Sequence, residues 1–341
     1  MNLQEHYSNK RVWISGHAGF KGSWLSHWLL RMGATVQGYG HRTNYTPRLF
    51  DTINLKDRME WTDENLLYGY AIKRSILDFK PDIVIHLAAQ TIVLESYYHP
   101  VSYFEHNLVG AVNVLDALRN LSTPCYALFV TTDKVYAPSA FPLMEDEPLG
   151  GNDPYSASKA CVEFAVASYR ESFFKGTNIQ VGTARAGNVI GGGDYTPHRL
   201  IPDTMKAFAN SSAVEIRNPS HRRPWLYVLD ALRGYLMLCM KQLPEAFNFG
   251  PPSNATVKQV LSTIQEIWPG EFTLAKQPPC KENPTLSLAT GHALRCLNWQ
   301  PLLDIEESVQ RTVEWYHQVH LGNNPYSMVD QQIDAYERLL S

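Results

Sequence analysis

Three glycines at three-residue intervals, Gly16, Gly19 and Gly22, fall between a short apolar run, Arg11-Val12-Trp13-Ile14-Ser15, and a segment from Trp24 to Met32 whose apolar residues recur at helical spacing. This order constrains the fold more than any other feature of the chain. A strand, a tight glycine turn and a helix start in succession present unpaired backbone N–H groups where an anion can approach, with no Cβ in the way. The pattern predicts a dinucleotide pyrophosphate site formed by Gly16, His17, Gly19, Phe20, Lys21 and Gly22, at the opening of a doubly wound sheet.

The following 170 or so residues keep the same alternation. Gly33 stops the first helix, and Ala34 to Tyr39 predicts a second strand. A helix ending near Lys80-Pro81 precedes a third strand from Asp82 to Leu87. A helix through about Asn107 to Asn120 leads to strands at Tyr126–Thr131 and Ile179–Ala184. Strands alternating with helices pair in parallel through right-handed crossovers. The expected fold is α/β, a doubly wound parallel Rossmann sheet with a smaller mixed α/β C-terminal substrate lobe. The dinucleotide-binding domain is expected over 1–187 and the substrate lobe over 188–341. Glycines 191–193 and Pro219, Pro224, Pro251, Pro252, Pro278 and Pro279 break that second half into short pieces. Within it, 224–250 is expected to re-enter the first domain, beginning with a strand-and-helix pair over Pro224 to Gln242.

Composition excludes several classes. A net charge of -3 offers no basic stripe for nucleic acid, and no run of about 18 apolar residues predicts a spanning helix. The five cysteines, Cys125, Cys161, Cys239, Cys280 and Cys296, are scattered and odd in number. That argues against a disulfide framework or a metal site and points to a reducing cytoplasm.

Two further stretches carry chemistry. Tyr155 and Lys159 stand four apart, so on a helix they share a face, and an ammonium there lowers the phenol pKa until it can serve as a general base. Upstream, Thr131-Thr132-Asp133-Lys134 closes a strand at the end where open α/β sheets place their ligands. Thr132 can share a hydrogen bond with the hydroxyl that Tyr155 deprotonates. A simple dehydrogenase or epimerase has no use for a further acid and amine at that strand end. A dehydratase, which removes a proton beside a carbonyl and protonates a departing hydroxyl, has. The plainer alternative is an exposed ion pair between Asp133 and Lys134. Dinucleotide-binding folds place an acid after the second strand to accept from the ribose; here Gly38-Tyr39-Gly40-His41-Arg42-Thr43 supplies none. Arg42 could face a 2′-phosphate or solvent, which leaves NAD and NADP both open.

Gly16-His17-Ala18-Gly19-Phe20-Lys21-Gly22-Ser23-Trp24 resembles the GHTGFKGSW signature of the CDP-glucose 4,6-dehydratases, extended short-chain dehydrogenases/reductases. The stretches His86–Gln90, Pro154–Ala160, Arg185–Asp194, Arg199–Asp203, Arg223–Trp225, Val313–Tyr316 and Gln332–Tyr336 are similar to the same family, so the likeness runs from about Lys10 to the end. The glycine and Y-x-x-x-K motifs belong to all such enzymes, whereas GFKGSW, T-D-K and RAGNVIGGGD are more specific. dTDP-glucose dehydratases carry T-D-E at the T-D-K position.

The resemblance implies an NAD-dependent lyase that converts an NDP-hexose, CDP-glucose foremost, into its 4-keto-6-deoxy form with a recycled cofactor. Another NDP-sugar dehydratase, an epimerase or a decarboxylase is the alternative on this scaffold. It implies that Tyr155 takes the 4-hydroxyl proton, Asp133 protonates the departing 6-hydroxyl and Lys134 is the carbon 5 base. Lys159 would hold the nicotinamide ribose. Leu87, Ala88, Ala89, Gln90, Asn107 and Thr131 would lie along the cofactor, and Asn65-Leu66 against the adenine. Gln90, Thr132, Asn188, Arg199, Leu200 and Arg223 would meet the nucleotide sugar, guanidinium forks being suited to a diphosphate. The partner is then the nucleotide-sugar substrate and a second copy of the chain. Relatives form homodimers or dimers of dimers through stretches matching Asn107–Asn120 and Tyr155–Lys175. Three departures stand out: Leu226-Tyr227-Val228 where the family tends to have Gln-His-Val, the loop Val135-Tyr136-Ala137-Pro138 after Lys134, and His41-Arg42 after the second strand.

Overall fold

The computed structural model describes residues 2–275 and 285–340; Pro278, Pro279 and Cys280 lie outside the described residues. Its strands run in chain order as β1 (Arg11–Ser15), β2 (Thr35–Tyr39), β3 (Glu60–Thr62), β4 (Ile83–His86), β5 (Cys125–Val130), β6 (Ile179–Ala186), β7 (Asn188–Ile190), β8 (Val214–Ile216), β9 (Arg222–Arg223), β10 (Trp225–Tyr227), β11 (Ala246–Phe249), β12 (Ala255–Thr256) and β13 (Phe272–Leu274). Seven form one sheet in the order β11-β6-β5-β4-β1-β2-β3. Every pairing in it is parallel. Helices Phe20–Arg31, Gly69–Phe79, Gly110–Leu118, Pro154–Tyr169 and Val228–Lys241 lie in the crossovers that parallel strands require. Both faces are thereby covered, so the interior strand β5, Cys-Tyr-Ala-Leu-Phe-Val, is buried at every residue. The period of two shows in β1: Val12 and Ile14 join the core beneath Trp24 and Trp28, while Trp13 joins the opposite core with Ile76 and Val114.

β1 lies between β2 and β4, and the sequence order changes direction there. A crevice opens at such a switch, past the carboxyl ends of the strands. The glycine turn after β1, the Leu87–Gln90 segment after β4 and the Thr131–Lys134 segment after β5 all converge on it.

Two expectations from the sequence change. The strand Trp225–Tyr227 does not join the large sheet; it pairs with β7, and β11 takes the edge beside β6. Pro224 fixes this route by packing against Gly187, where an added Cβ would come within 2.4 Å of the proline ring. The helix expected over about Asn107 to Asn120 starts earlier, at Pro100. It opens into a wide five-residue turn over Glu105–Val109 before Gly110–Leu118. Such wide turns re-aim one side chain, and here it is that of Asn107.

The remaining chain forms short two-stranded pairings and a C-terminal helical cap. Asp304 and Glu307 close a reciprocal cap on the helix Ile305–His320. The last helix, Pro325–Glu337, docks on Phe20–Arg31 through Asp330, which sits 2.7 Å from both Arg31 and His27. Among the described residues no helix is long and apolar enough to cross a membrane, and no cluster of His, Cys, Asp and Glu could hold a metal ion.

Candidate active site

The glycine turn is closed by contacts that admit no side chain. A Cβ on Gly16, whose φ is +74°, would fall 2.7 Å from the Ala88 backbone nitrogen, and one on Gly22 would fall 2.1 Å from the Gly16 carbonyl. Gly19 caps the following helix without a side chain, which leaves its first N–H groups facing the crevice. This cradle fits a dinucleotide pyrophosphate. His17 is fully buried behind it, edge-on to Phe50, with neither ring nitrogen hydrogen-bonded, and burial pushes its pKa down to about 4.

Asn107 spends its amide on structure. Its Oδ1 accepts from the Gln90 N–H at 2.7 Å, and its Nδ2 donates to the Gln90 carbonyl and to Ser158 Oγ at 2.9 Å. The wide turn thus clamps the segment after β4 to the helix that carries Tyr155 and Lys159. The Gln90 side chain bonds Ser102. Asn65 Oδ1 accepts from the Leu67 N–H, and Leu66 is buried against Gly110.

Four of the five catalytic candidates, Thr132, Lys134, Tyr155 and Lys159, line one cleft of about 1350 Å³ alongside Asn188, Arg199, Leu200 and Arg223, while Asp133 is fully buried and is not part of its wall. Phe20, Lys21, Leu87, Ala89 and Thr131 line the same space. Thr132 caps a short turn over Asp133–Val135, and its hydroxyl donates to Asp133 Oδ1 at 2.9 Å. The Lys134 ammonium lies 3.3 Å from the same oxygen. Asp133 is fully buried and its other oxygen has no partner in the protein, so this is not an exposed strand-end ion pair. An unsatisfied buried carboxylate oxygen is costly unless something else arrives to use it.

Tyr155 opens the helix Pro154–Tyr169, which Asp153 caps by accepting from the Ser156 N–H at 2.8 Å. Burial raises the Tyr155 pKa; the Lys134 ammonium opposes this most, followed by the Thr132 hydroxyl and Arg199. The sequence assigned that task to Lys159. Lys159 instead donates to the Val130 carbonyl at 2.8 Å, and burial lowers its pKa to about 8, with Glu163 pulling it back up. Lys21, enclosed at the floor of the cleft, is brought by burial, and then by Lys159 and Arg199, to about 7. On the substrate side Arg199 meets Asp194 at 3.4 Å and Thr91 at 2.9 Å, and Arg223 donates to the Arg222 carbonyl at 3.0 Å.

Three residues that sequence reasoning missed complete the arrangement. Glu163, buried behind the Thr131–Lys134 segment, accepts from the Thr131 hydroxyl, from Thr183 at 2.8 Å and from Arg185 at 2.9 Å. Its place four residues past Lys159, on the same helix face, was a usable signal. Asp194 is buried in the cleft wall, and Asp63 pairs with Arg42 at 3.2 Å. Asp63 has no local signal, because its partner Arg42 lies 21 residues away, whereas Asp194 meets Thr196 and Arg199 within five residues.

The sequence model of the NAD dependent epimerase/dehydratase family matches residues 12–250. The chain belongs to this family. As an epimerase/dehydratase family member it is 37% identical to the CDP-glucose 4,6-dehydratase of Salmonella typhimurium, with 97% of each chain covered. Two solved structures share the fold. A UDP-glucose 4-epimerase from Thermotoga maritima superposes with a TM-score of 0.82 at 22% identity, covering 91% of this chain and 99% of its own. A dTDP-glucose 4,6-dehydratase from Streptomyces venezuelae, with NAD bound, does so at 0.81 and 21%, covering 90% and 97%. NAD is the family's cofactor, and the glycine cradle is the part of this member that suits it.

Proposed function

We propose that the protein is an NDP-hexose 4,6-dehydratase acting on CDP-glucose. The observation that carries this reading is the buried Asp133 carboxylate, half of it unpartnered, held against Lys134, which lines the cleft that contains Tyr155. An epimerase needs the phenol and the amine of Tyr155 and Lys159; it has no work for a second acid and a second amine. The similarity to the Salmonella CDP-glucose enzyme supports the choice of nucleotide.

NAD bound in the glycine cradle supplies the hydride acceptor for carbon 4 and the donor for carbon 6. Tyr155, whose pKa burial raises and the Lys134 ammonium and Thr132 hydroxyl pull back, takes the proton of the 4-hydroxyl. The resulting ketone acidifies the carbon 5 hydrogen. A proton passed from the Lys134 ammonium to Asp133 across their 3.3 Å contact leaves an amine and a carboxylic acid; the amine then removes the carbon 5 proton, and the acid protonates the 6-hydroxyl as it leaves as water. Lys159 holds the nicotinamide ribose, with Leu87, Ala88, Ala89 and Thr131 along the cofactor. Asn188, Arg199, Leu200 and Arg223 bind the diphosphate and nucleotide, and Gln90 borders the sugar.

The division into lobes follows this chemistry, with 1–187 and 224–250 holding the cofactor and the rest of 188–341 the nucleotide sugar. A homodimer is supported by exposed apolar side chains on the adjoining Pro100–Leu118 and Pro154–Phe174 stretches: Val101, Val109, Phe164 and Phe173. Unpaired thiols at Cys125, Cys161, Cys239 and Cys296 are compatible with a reducing cytoplasm.

The test is incubation with CDP-glucose in deuterated water, followed by mass spectrometry of the sugar nucleotide. Loss of one water with uptake of one deuterium at carbon 5 is expected. A 4-epimer without deuterium would refute the dehydratase reading.

A further inference from the structure

The carbonyl of Tyr39, the last residue of β2, accepts from the Gly16 N–H at 3.0 Å, and the Thr62 carbonyl at the end of β3 accepts from the Gly40 N–H at 3.1 Å. The residues just past both strands are therefore packed against the glycine turn, on the side away from the catalytic cleft. A dinucleotide lying across that turn puts its adenosine ribose there. The segment after β2 carries two basic side chains, His41 and Arg42, and no acid. The acid comes from the neighbouring strand. Asp63, the first residue past β3, accepts from His41 Nδ1 at 2.8 Å with one oxygen and from Arg42 Nε at 3.2 Å with the other. The Arg42 guanidinium also lies 5.4 Å from the centre of the Trp61 ring, which holds it in that pose. The other acid nearby, Glu64, turns back to accept from the Asn65 N–H.

We propose that Asp63 is the residue that selects NAD over NADP. A carboxylate has about four acceptor positions, and the two bonds to His41 and Arg42 leave room for a ribose hydroxyl to donate. A 2′-phosphate, carrying nearly two negative charges, is repelled by this carboxylate, which also offsets the charge of the Arg42 guanidinium beside it and holds it by its Nε. His17, in the same corner, gives the phosphate no charge to pair with, because burial keeps it neutral. Arg42 is thus the residue that would welcome NADP, and Asp63 withdraws it. The proposal rests on the reading of the glycine turn as the dinucleotide site.

The experiment is a binding competition read without turnover. Purified wild type, Asp63→Asn and Asp63→Asn/Arg42→Ala are incubated with equimolar NAD and NADP, freed of unbound nucleotide and denatured. The released dinucleotides are then counted by mass spectrometry. Wild type is expected to release NAD in at least tenfold excess. D63N is expected to reduce that excess at least tenfold, and the double variant to lose the NADP that D63N gained. Asp63→Ser, which removes the charge with a smaller side chain, is expected to match D63N. Equal release of both dinucleotides by wild type, or a ratio in D63N and D63S within twofold of wild type, would overturn the assignment of Asp63. Release of neither dinucleotide by any of the proteins would overturn the dinucleotide reading of the turn, and this inference with it.

Discussion

Replacing Glu163 by Gln should damage stability and the pH dependence of catalysis together. Glu163 is almost entirely buried and takes three hydrogen bonds, one from an equally buried Arg185 at 2.9 Å. Arg185 passes the constraint on: it donates to Tyr136 at 2.8 Å, and Tyr136 donates to Asn248 at 2.7 Å, next to β6 in the sheet. Removing one partner of a buried ion pair costs about 3–5 kcal/mol. Glutamine still accepts from the guanidinium, so we expect about 2–4 kcal/mol. With an unfolding entropy of about 2.1 cal/mol/K per residue, 341 residues give about 0.7 kcal/mol/K, so the melting temperature should fall by about 3–6 °C. The second effect concerns Lys159. Burial holds its pKa at about 8 and Glu163 raises it, so the substitution lowers it further. For charges one helical turn apart the change should be roughly one pH unit. The charged amine is then lost at lower pH, and the alkaline limb of kcat moves down by that amount. Calorimetric melting of the holoenzyme and a pH profile of product formation read the two effects separately. A melting temperature within 1 °C of wild type, with an unmoved alkaline limb, would refute the argument.

Other substitutions probe the cleft more directly. Asp133→Asn removes the proposed acid but leaves Tyr155 in place, so kcat should fall about 10²–10⁴-fold; quenched reactions should then contain a 4-keto hexose that still carries its oxygen on carbon 6. Lys134→Met removes the cation that most opposes the burial-driven rise of the Tyr155 pKa, so that pKa goes up. The acid limb of the pH–rate profile should move to higher pH, and exchange of the carbon 5 hydrogen with deuterated water should stop. Gly192→Ala would put a Cβ 2.1 Å from Trp315 Cγ, whose helix cannot move without dragging the C-terminal cap. Overpacking of this kind should cost about 1–3 kcal/mol or more in chemical denaturation.

The sheet was legible because its evidence is local. β1 matches its sequence prediction residue for residue, and Lys80, in a left-handed conformation at φ 50°, ends a helix beside Pro81 as the sequence suggested. β3 escaped detection because Glu60-Trp61-Thr62 is too short to show a period, and its place at the sheet edge comes from pairing with Gln37–Tyr39. The Trp225–Tyr227 strand was visible, but its partner was not: whether a strand joins the large sheet or a side pairing depends on Pro224 packing against Gly187, a contact between segments 37 residues apart.

The same distinction orders the site. Tyr155 with Lys159, and Asp133 with Lys134, are near neighbours in sequence, so pattern alone brings them together. The groups that set their charge states are distant ones. The phenol is tuned by an amine 21 residues upstream rather than by the lysine one turn along its own helix. Arg42 is restrained by an acid on the next strand. A motif therefore names the reacting atoms, and the fold decides which proton each of them carries. Because Lys134 both opposes the rise of the Tyr155 pKa and stands beside Asp133, the oxidation at carbon 4 and the elimination across carbons 5 and 6 draw on one lysine. A change at Lys134 should slow both half-reactions, whereas loss of the Asp133 charge, a charge that raises the Tyr155 pKa, should slow the elimination without slowing the oxidation.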